Sequence, residues 1–200
     1  KYGEAVAEAV IRAPQVATDY AVAVRSGAKY GDVDSKVASV ALDTKNPETV
    51  GEAINGIWKS NPSIQKTTLT DPDEIVKFYR GLLEDSSIDE LAKSNPEMFT
   101  GKNISEIKAE MGKLRDAIAD TKKAAADAKA YYNNNPLEPS FQPRWLVENC
   151  AEIWAVRDAI LKGAKFDDIV IRSVYISNGK IRPLCDNCKT TFKDNIKAMQ

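Results

Sequence analysis

Apolar side chains recur at the helical spacing of three and four residues through most of the first 130 positions. The alanine-rich segments before and after Pro14 predict two helices, of which the second ends near Gly27. Residues that can cap a helix N-terminus predict three more starts, at Asn46-Pro47, at Asp71-Pro72, and at Ser87 with Glu90. We therefore expect residues 1–100 to form a largely helical N-terminal region.

A helix of roughly thirty residues is predicted next, capped by Asn103 and carrying an apolar stripe from Ile104 to Ala128. Such a stripe also fits a coiled-coil seam, but we favour a long helix that lies on the core of a globular domain. Residues 131–145 contain three Asn and three Pro and predict an irregular connection.

The pattern changes in the last quarter of the chain. Residues 150–162 predict a helix closed by Gly163, and residues 168–177 are apolar on both alternating faces, as in a buried central strand. Asn178-Gly179 indicates a turn, and a final helix is predicted from about Pro183. The expected fold class is α/β, with a helical N-terminal region (1–100) and a second domain (101–200).

Composition excludes several partners and chemistries. The chain of 200 residues is 43% hydrophobic, which is enough to bury a core, and its net charge is −1. No basic field for nucleic acid covers the whole chain, and no window reaches the ~18 apolar residues of a membrane span. The first residue is Lys1, so we expect a piece of a longer protein. The absence of histidine rules out Ser-His-Asp and Cys-His catalysis and imidazole zinc sites.

The candidate chemistry lies with the three cysteines. Cys185 and Cys188 are three residues apart at a predicted helix start, where both sulfurs face one side and the helix dipole favours thiolate. Cys150, at another helix start, can complete a three-thiolate zinc site that leaves a position for water. Glu152 can reach the open side of such a metal and accept a proton. A redox CxxC or half of a structural zinc site remain alternatives.

Cys-Ala-Glu at 150–152 and Pro-Leu-Cys-Asp-Asn-Cys at 183–188 match the signature of zinc-dependent deaminases in which a third cysteine replaces histidine. Residues 148–160 and 182–188 resemble, more closely, the YwqJ-like deaminase domains of bacterial polymorphic toxins. That family usually has a β-hairpin before the Cys-Ala-Glu helix and further strands after the CxxC helix. We predict no hairpin before Cys150, although residues 64–69 could form a short strand.

The resemblance implies a cytidine-deaminase-like α/β/α core in which Cys150, Cys185 and Cys188 bind Zn²⁺ and Glu152 shuttles protons. It also implies an effector delivered to the cytoplasm of a target cell, and a cognate immunity protein. The expected activity is hydrolytic deamination of a nucleobase, at C4 of cytosine or C6 of adenine, with cytosine in nucleic acid favoured. A free-nucleotide deaminase, a non-catalytic zinc-binding interaction module and a helical adaptor with a redox CxxC are the alternatives.

Other residues are candidates for supporting roles beside the three cysteines and Glu152. Residues 134–200 contain ten basic and eight acidic side chains, a mild bias towards an anionic ligand. Two arginines, Arg157 and Arg182, are candidates to offset the negative charge of three zinc-bound thiolates. Four aromatic residues are candidates to stack a flipped base: Trp145, Trp154, Tyr175 and Phe192.

Overall fold

The computed structural model describes residues 2–25, 36–55, 71–193 and 197–198. The helices in this part of the chain are α1 (Tyr2–Arg25), α2 (Pro72–Gly81), α3 (Asp85–Ser94), α4 (Ile104–Asp127), α5 (Ala151–Leu161) and α6 (Asp186–Thr191). The strands are β1 (Val37–Asp43), β2 (Val50–Ile54), β3 (Ile169–Tyr175) and β4 (Lys197–Ala198). The expected α/β class is therefore confirmed at the level of a mixed α/β fold.

The four strands form one sheet in the order β2-β1-β3-β4. β1 lies antiparallel to both β2 and β3, with Val37 opposite Tyr175 and Asp43 opposite Ile169, and β4 lies parallel to β3. Because β1 and β2 precede residue 100 and β3 follows it, the sheet contains strands from both sides of the predicted domain boundary. The expectation of a helical N-terminal region is wrong for residues 37–54.

The helix predicted from Asn46-Pro47 is wrong, because those residues belong to the turn between β1 and β2. Asp43 Oδ1 accepts hydrogen bonds from the backbone N–H groups of Lys45 (2.7 Å) and Asn46 (3.2 Å), which bends the chain there. The Thr49 N–H then donates to the Asn46 carbonyl over 2.9 Å. The Asn-Pro pair thus makes a turn, and the short apolar run after it pairs with β1.

The prediction that no hairpin precedes Cys150 is also wrong. β1 and β2 form an antiparallel hairpin, in which Ala38 pairs with Ile54 and Leu42 with Val50. Every residue of β1 is buried, so it lacks the polar and apolar alternation that identifies a half-exposed strand. The strand considered at residues 64–69 lies outside the described residues.

The two predicted N-terminal helices are one helix, α1, which continues through Pro14. A proline inside a helix costs about 3 kcal/mol because it removes a backbone hydrogen bond and crowds the preceding turn. Burial of one face of α1 against the sheet offsets this cost; the buried residues are Ala5, Ala9, Ala13, Val16, Ala17, Tyr20 and Ala21. The predicted end near Gly27 lies outside the described residues.

Most of the other predicted elements are confirmed. Asp71 caps α2 by accepting from the N–H groups of Asp73 (2.8 Å) and Glu74 (3.1 Å). α4 is shorter than predicted, at 24 residues, but its apolar stripe lies on the core as expected. α5 ends before Gly163, whose φ of 105° favours glycine, and β3 and the turn after it form as predicted. α3 begins at Asp85 rather than Ser87, and α6 is only six residues long.

Helices cover both faces of the sheet. α1 packs on one face, and α5 packs on the other with α4 and α6 outside it. All eleven residues of α5 are buried, including Glu152 in its first turn. Among the described residues, no helix is both long and apolar enough to span a membrane.

Candidate functional site

The three cysteines meet where the N-termini of α5 and α6 converge. Cys150 is the N-cap residue of α5, Cys185 is the N-cap residue of α6, and Cys188 lies in the first turn of α6. Their Sγ atoms all lie within 4.8 Å of one another, and the Cys150 and Cys185 sulfurs are 3.4 Å apart. None of the three forms a disulfide. This triad can hold a metal ion.

The donor set fits zinc. Tetrahedral thiolate ligands with Zn–S bonds of about 2.3 Å place their sulfurs about 3.8 Å apart, so the observed spacing needs only small side-chain shifts. Three soft sulfur ligands favour zinc over hard cations such as Mg²⁺ and Ca²⁺. Because three ligands do not complete a tetrahedron, one coordination position is left for a small molecule.

The sulfurs interact strongly with one another. Hydrogen bonds from Cys150 and then Cys188 lower the pKa of Cys185 to about 3. The same contact with Cys185 raises the pKa of Cys150, and burial raises the pKa of Cys188. Because metal ions bind cysteine as thiolate, occupation of the triad by a cation must release the protons that the sulfurs carry.

Glu152 lies two residues beyond Cys150 and is only 2% exposed. Its Oε1 atom accepts a hydrogen bond of 2.9 Å from the Ser173 hydroxyl on β3. Burial, and then the negative charge of Cys185, raise the pKa of Glu152, whereas the Ser173 hydrogen bond and Arg182 lower it. The net shift of this pKa is upward, and the Ser173 hydrogen bond holds the carboxyl group through Oε1.

Two serines missed in the sequence support this carboxyl group. Ser39 and Ser173 are direct partners across β1 and β3, and their hydroxyl oxygens are 2.7 Å apart. Because Ser173 gives its only hydroxyl proton to Glu152, Ser39 donates to Ser173. Both serines are buried. A serine inside an otherwise apolar strand is the signal that could have identified each of them.

A cavity of about 380 Å³ opens beside the cysteines and Glu152. Its lining combines residues of the segment 144–152 with residues at the ends of β1 and β3, and with Arg182 and Cys185. Cys150, Cys185 and Glu152 all line the cavity, so a ligand there can reach both the triad and the carboxyl group.

The structure separates the candidates for supporting roles into two groups. Trp145, Tyr175 and Arg182 line the cavity. Trp154 and Phe192 are 1% exposed and belong to the core, so their proposed stacking role is wrong. Arg157 does not line the cavity either: its Nε donates to the Leu82 carbonyl over 2.9 Å, and burial lowers its pKa to about 10.

A buried ion network holds the segment that leads into Cys150. The Glu148 carboxylate accepts from Arg80 Nε over 2.8 Å and also pairs with Lys122 on α4. Arg80 in turn donates to both carboxylate oxygens of Glu138, over 3.1 and 2.6 Å. The Trp154 indole N–H donates to the Glu148 carbonyl over 2.7 Å. These long-range contacts, which local patterns do not reveal, position the start of α5.

Asn187, between the two cysteines of α6, ties the irregular connection to the site. Its Oδ1 accepts from the Phe141 N–H over 2.9 Å, and its Nδ2 donates to the Ser140 hydroxyl over 3.0 Å. Both Asn187 and Ser140 are buried. The connection of residues 131–145 is therefore held against α6 despite its lack of regular structure.

The chain matches no protein-family model, no curated protein and no solved structure. The fold and the site define a mixed α/β protein with a cysteine triad able to hold a metal beside a buried glutamate. Any narrower functional assignment rests on the residues of the cavity.

Proposed function

We propose that this protein is a zinc-dependent hydrolytic deaminase of a nucleobase, with cytosine in nucleic acid as the favoured substrate. The observation that carries the proposal is the placement of Cys150, Cys185 and Glu152 on the surface of one cavity, with Cys188 behind them. A metal with an open position next to a buried carboxyl group is the minimal equipment for hydrolysis by an activated water.

The order of elements gives further support to a cytidine-deaminase-like core. An antiparallel hairpin precedes α5, and the chain then continues through β3 and α6 to β4, which is parallel to β3. These are the features that the sequence resemblance implies around the two cysteine motifs. That resemblance alone adds three further elements to the proposal. They are a role as a toxin effector, delivery to the cytoplasm of a target cell, and a cognate immunity protein.

Cys150, Cys185 and Cys188 would hold the zinc, which when bound supplies Lewis acidity that makes water acidic near neutral pH. Glu152 would accept a proton from the attacking water while Ser173 holds its Oε1 atom. It would return protons to the ring nitrogen and to the departing amine, so that cytosine and water give uracil and ammonia. The buried serine pair would keep the carboxyl group oriented between these transfers.

The test compares the wild type with Glu152→Gln, Cys150→Ser and a control, Glu97→Gln, which alters an exposed glutamate outside the cavity. Each protein is expressed briefly in a bacterium, its zinc content is measured, and genomic DNA and total RNA are sequenced. We expect about one zinc per chain in all but Cys150→Ser. C-to-T changes in DNA, or C-to-U changes in RNA, should appear with the wild type and Glu97→Gln only.

The alternatives give different results in the same experiment. Zinc binding with no effect of Glu152→Gln on any base change or on growth would favour the non-catalytic zinc-binding module. Absence of zinc from the wild type would refute the metal centre and favour a redox CxxC. Toxicity that depends on Glu152 without changes in either polymer would indicate free nucleotides, which would then be assayed by ammonia release.

A further inference from the structure

The charged residues around the cavity are separated by depth. Glu152, which is the acidic side chain of the described lining, is buried, and so is Cys150 beside it. The other charged residues that line the cavity are all basic: Lys36, Arg144 and Arg182. Arg144 is exposed, and Lys36 and Arg182 are partly exposed, so these three cations lie nearer to solvent than Glu152 does. A bound molecule would therefore meet an acidic floor and a basic rim.

The rim cations come from three separate segments of the chain. Lys36 immediately precedes β1, and Arg182 follows β3, where its backbone N–H donates to the Ser173 carbonyl over 2.9 Å. The Tyr175 ring is 6.0 Å from the Arg182 guanidinium carbon. Arg144 lies in the irregular connection and precedes Trp145. The folded chain thus brings three basic residues that are distant in sequence to the lining of one cavity.

We propose that Lys36, Arg144 and Arg182 form a phosphate subsite that selects phosphorylated nucleosides over free nucleosides. This inference rests on the proposed function, and it adds that the rim binds the phosphate end of the substrate. Arginine side chains match phosphate oxygens through paired N–H donors, and the one acidic side chain of the described lining, Glu152, is buried. Tyr175 and Trp145 offer aromatic faces for the base between the rim and the floor.

The size of the cavity agrees with such a ligand. Its volume of about 380 Å³ is in the lower part of the roughly 300–1,000 Å³ range of small-molecule pockets. One nucleotide is the unit that this space favours, whether it is free or extruded from a single strand. Both ligands carry a phosphate group, so the experiment must distinguish a free nucleotide from a nucleotide that is part of a single strand.

The experiment uses the zinc-loaded full chain carrying Glu152→Gln, so that bound substrate is not consumed. Isothermal titration measures its affinity for cytidine and deoxycytidine, for their 5′-monophosphates, and for single-stranded oligonucleotides with one cytosine. Arg144→Ala and Arg182→Ala are added singly to this background. Lys123→Ala, an exposed lysine on α4 that does not line the cavity, is the control for loss of one positive charge.

We expect each phosphate-bearing probe to bind about tenfold or more tightly than its nucleoside, with an affinity that falls as salt is added. Arg144→Ala and Arg182→Ala should each weaken phosphate-bearing probes by about fivefold or more, leaving nucleoside affinity unchanged, and Lys123→Ala should have no effect. Tighter binding of the oligonucleotide than of the monophosphate would identify a phosphodiester as the source, and equal binding would identify a free nucleotide.

Equal affinities for nucleoside and monophosphate would overturn the subsite, as would an unchanged preference in both arginine variants or failure of every probe to bind. These results are distinct from failure of the proposed function, which is read from ammonia release by the zinc-loaded wild type. Selective binding without ammonia release would support the subsite and refute the deaminase. Equal release from nucleoside and nucleotide would support the deaminase and refute the subsite.

Discussion

Replacing Gly51 by alanine places a methyl group inside α5. Gly51 lies on β2 where α5 crosses it, and an added Cβ would be 2.0 Å from the Ala155 carbonyl oxygen and 2.4 Å from the Ala159 backbone nitrogen. It would also be 2.8 Å from the Ala159 Cβ. These are backbone atoms and a methyl group rather than the far end of a flexible side chain, so a rotamer change cannot relieve the overlap.

The loss of folding free energy caused by Gly51→Ala follows from these Cβ distances. Ordinary contact for a Cβ begins at 3.4 Å, so the helix must move by about 1.4 Å at its closest point or the strand must leave its register. Overpacking commonly costs 1–3 kcal/mol and occasionally more, and the rigidity of both elements puts this case at about 3 kcal/mol or above. Because α5 begins at the Cys150 cap, we expect zinc affinity to fall together with stability.

The matched control is the same substitution at Gly112, inside α4. There the added Cβ meets only Arg115 Nη2, at 3.7 Å, which is ordinary contact. Alanine in place of glycine in a helix interior stabilises by up to about 1 kcal/mol, so this variant should shift in the opposite direction. Urea unfolding followed by circular dichroism, with zinc present, measures both changes. A Gly51→Ala protein as stable as the wild type would refute the proposed packing of α5 on β2.

Two further predictions concern the supports of the site. On the proposed function, Ser173→Ala should retain zinc and lower kcat about tenfold, because it loses the hydrogen bond that orients the Glu152 carboxyl group. Ser173→Thr should recover most of the activity, and an unchanged kcat in Ser173→Ala would argue against this role. Burial raises the pKa of Glu148, but Lys122 and Arg80 outweigh it, so the net shift is downward. Its stabilising contribution is therefore full above about pH 4.3, the value of a free glutamate, and is lost as the pH falls through the lower folded pKa. Glu148→Gln should destabilise by about 1–3 kcal/mol at pH 7 in urea unfolding, and the difference from wild type should vanish in acid; a difference independent of pH would contradict the ionic role.

Local signals in the sequence determined several elements. Asp71 caps α2 because its side chain bonds to amides two and three residues away, and the apolar stripe of α4 is legible because its helical spacing repeats over many turns. The run of apolar residues in β3 identified a strand because both of its faces are covered. The two cysteine motifs likewise identified the candidate ligands and the carboxyl group beside them.

Only the tertiary structure decided the elements and contacts that depend on distant partners. The residues after Asn46-Pro47 fit a helical spacing, but pairing with β1 and close packing under α5 make them a strand. Cys150 and Cys185 are 35 positions apart, and their sulfurs meet because β3 returns the chain to the start of α5. The bond from Ser173 to Glu152 and the basic rim arise in the same way. Spacing along the chain carries no information on which distant backbones will be neighbours, because that choice is made by burial of the whole core.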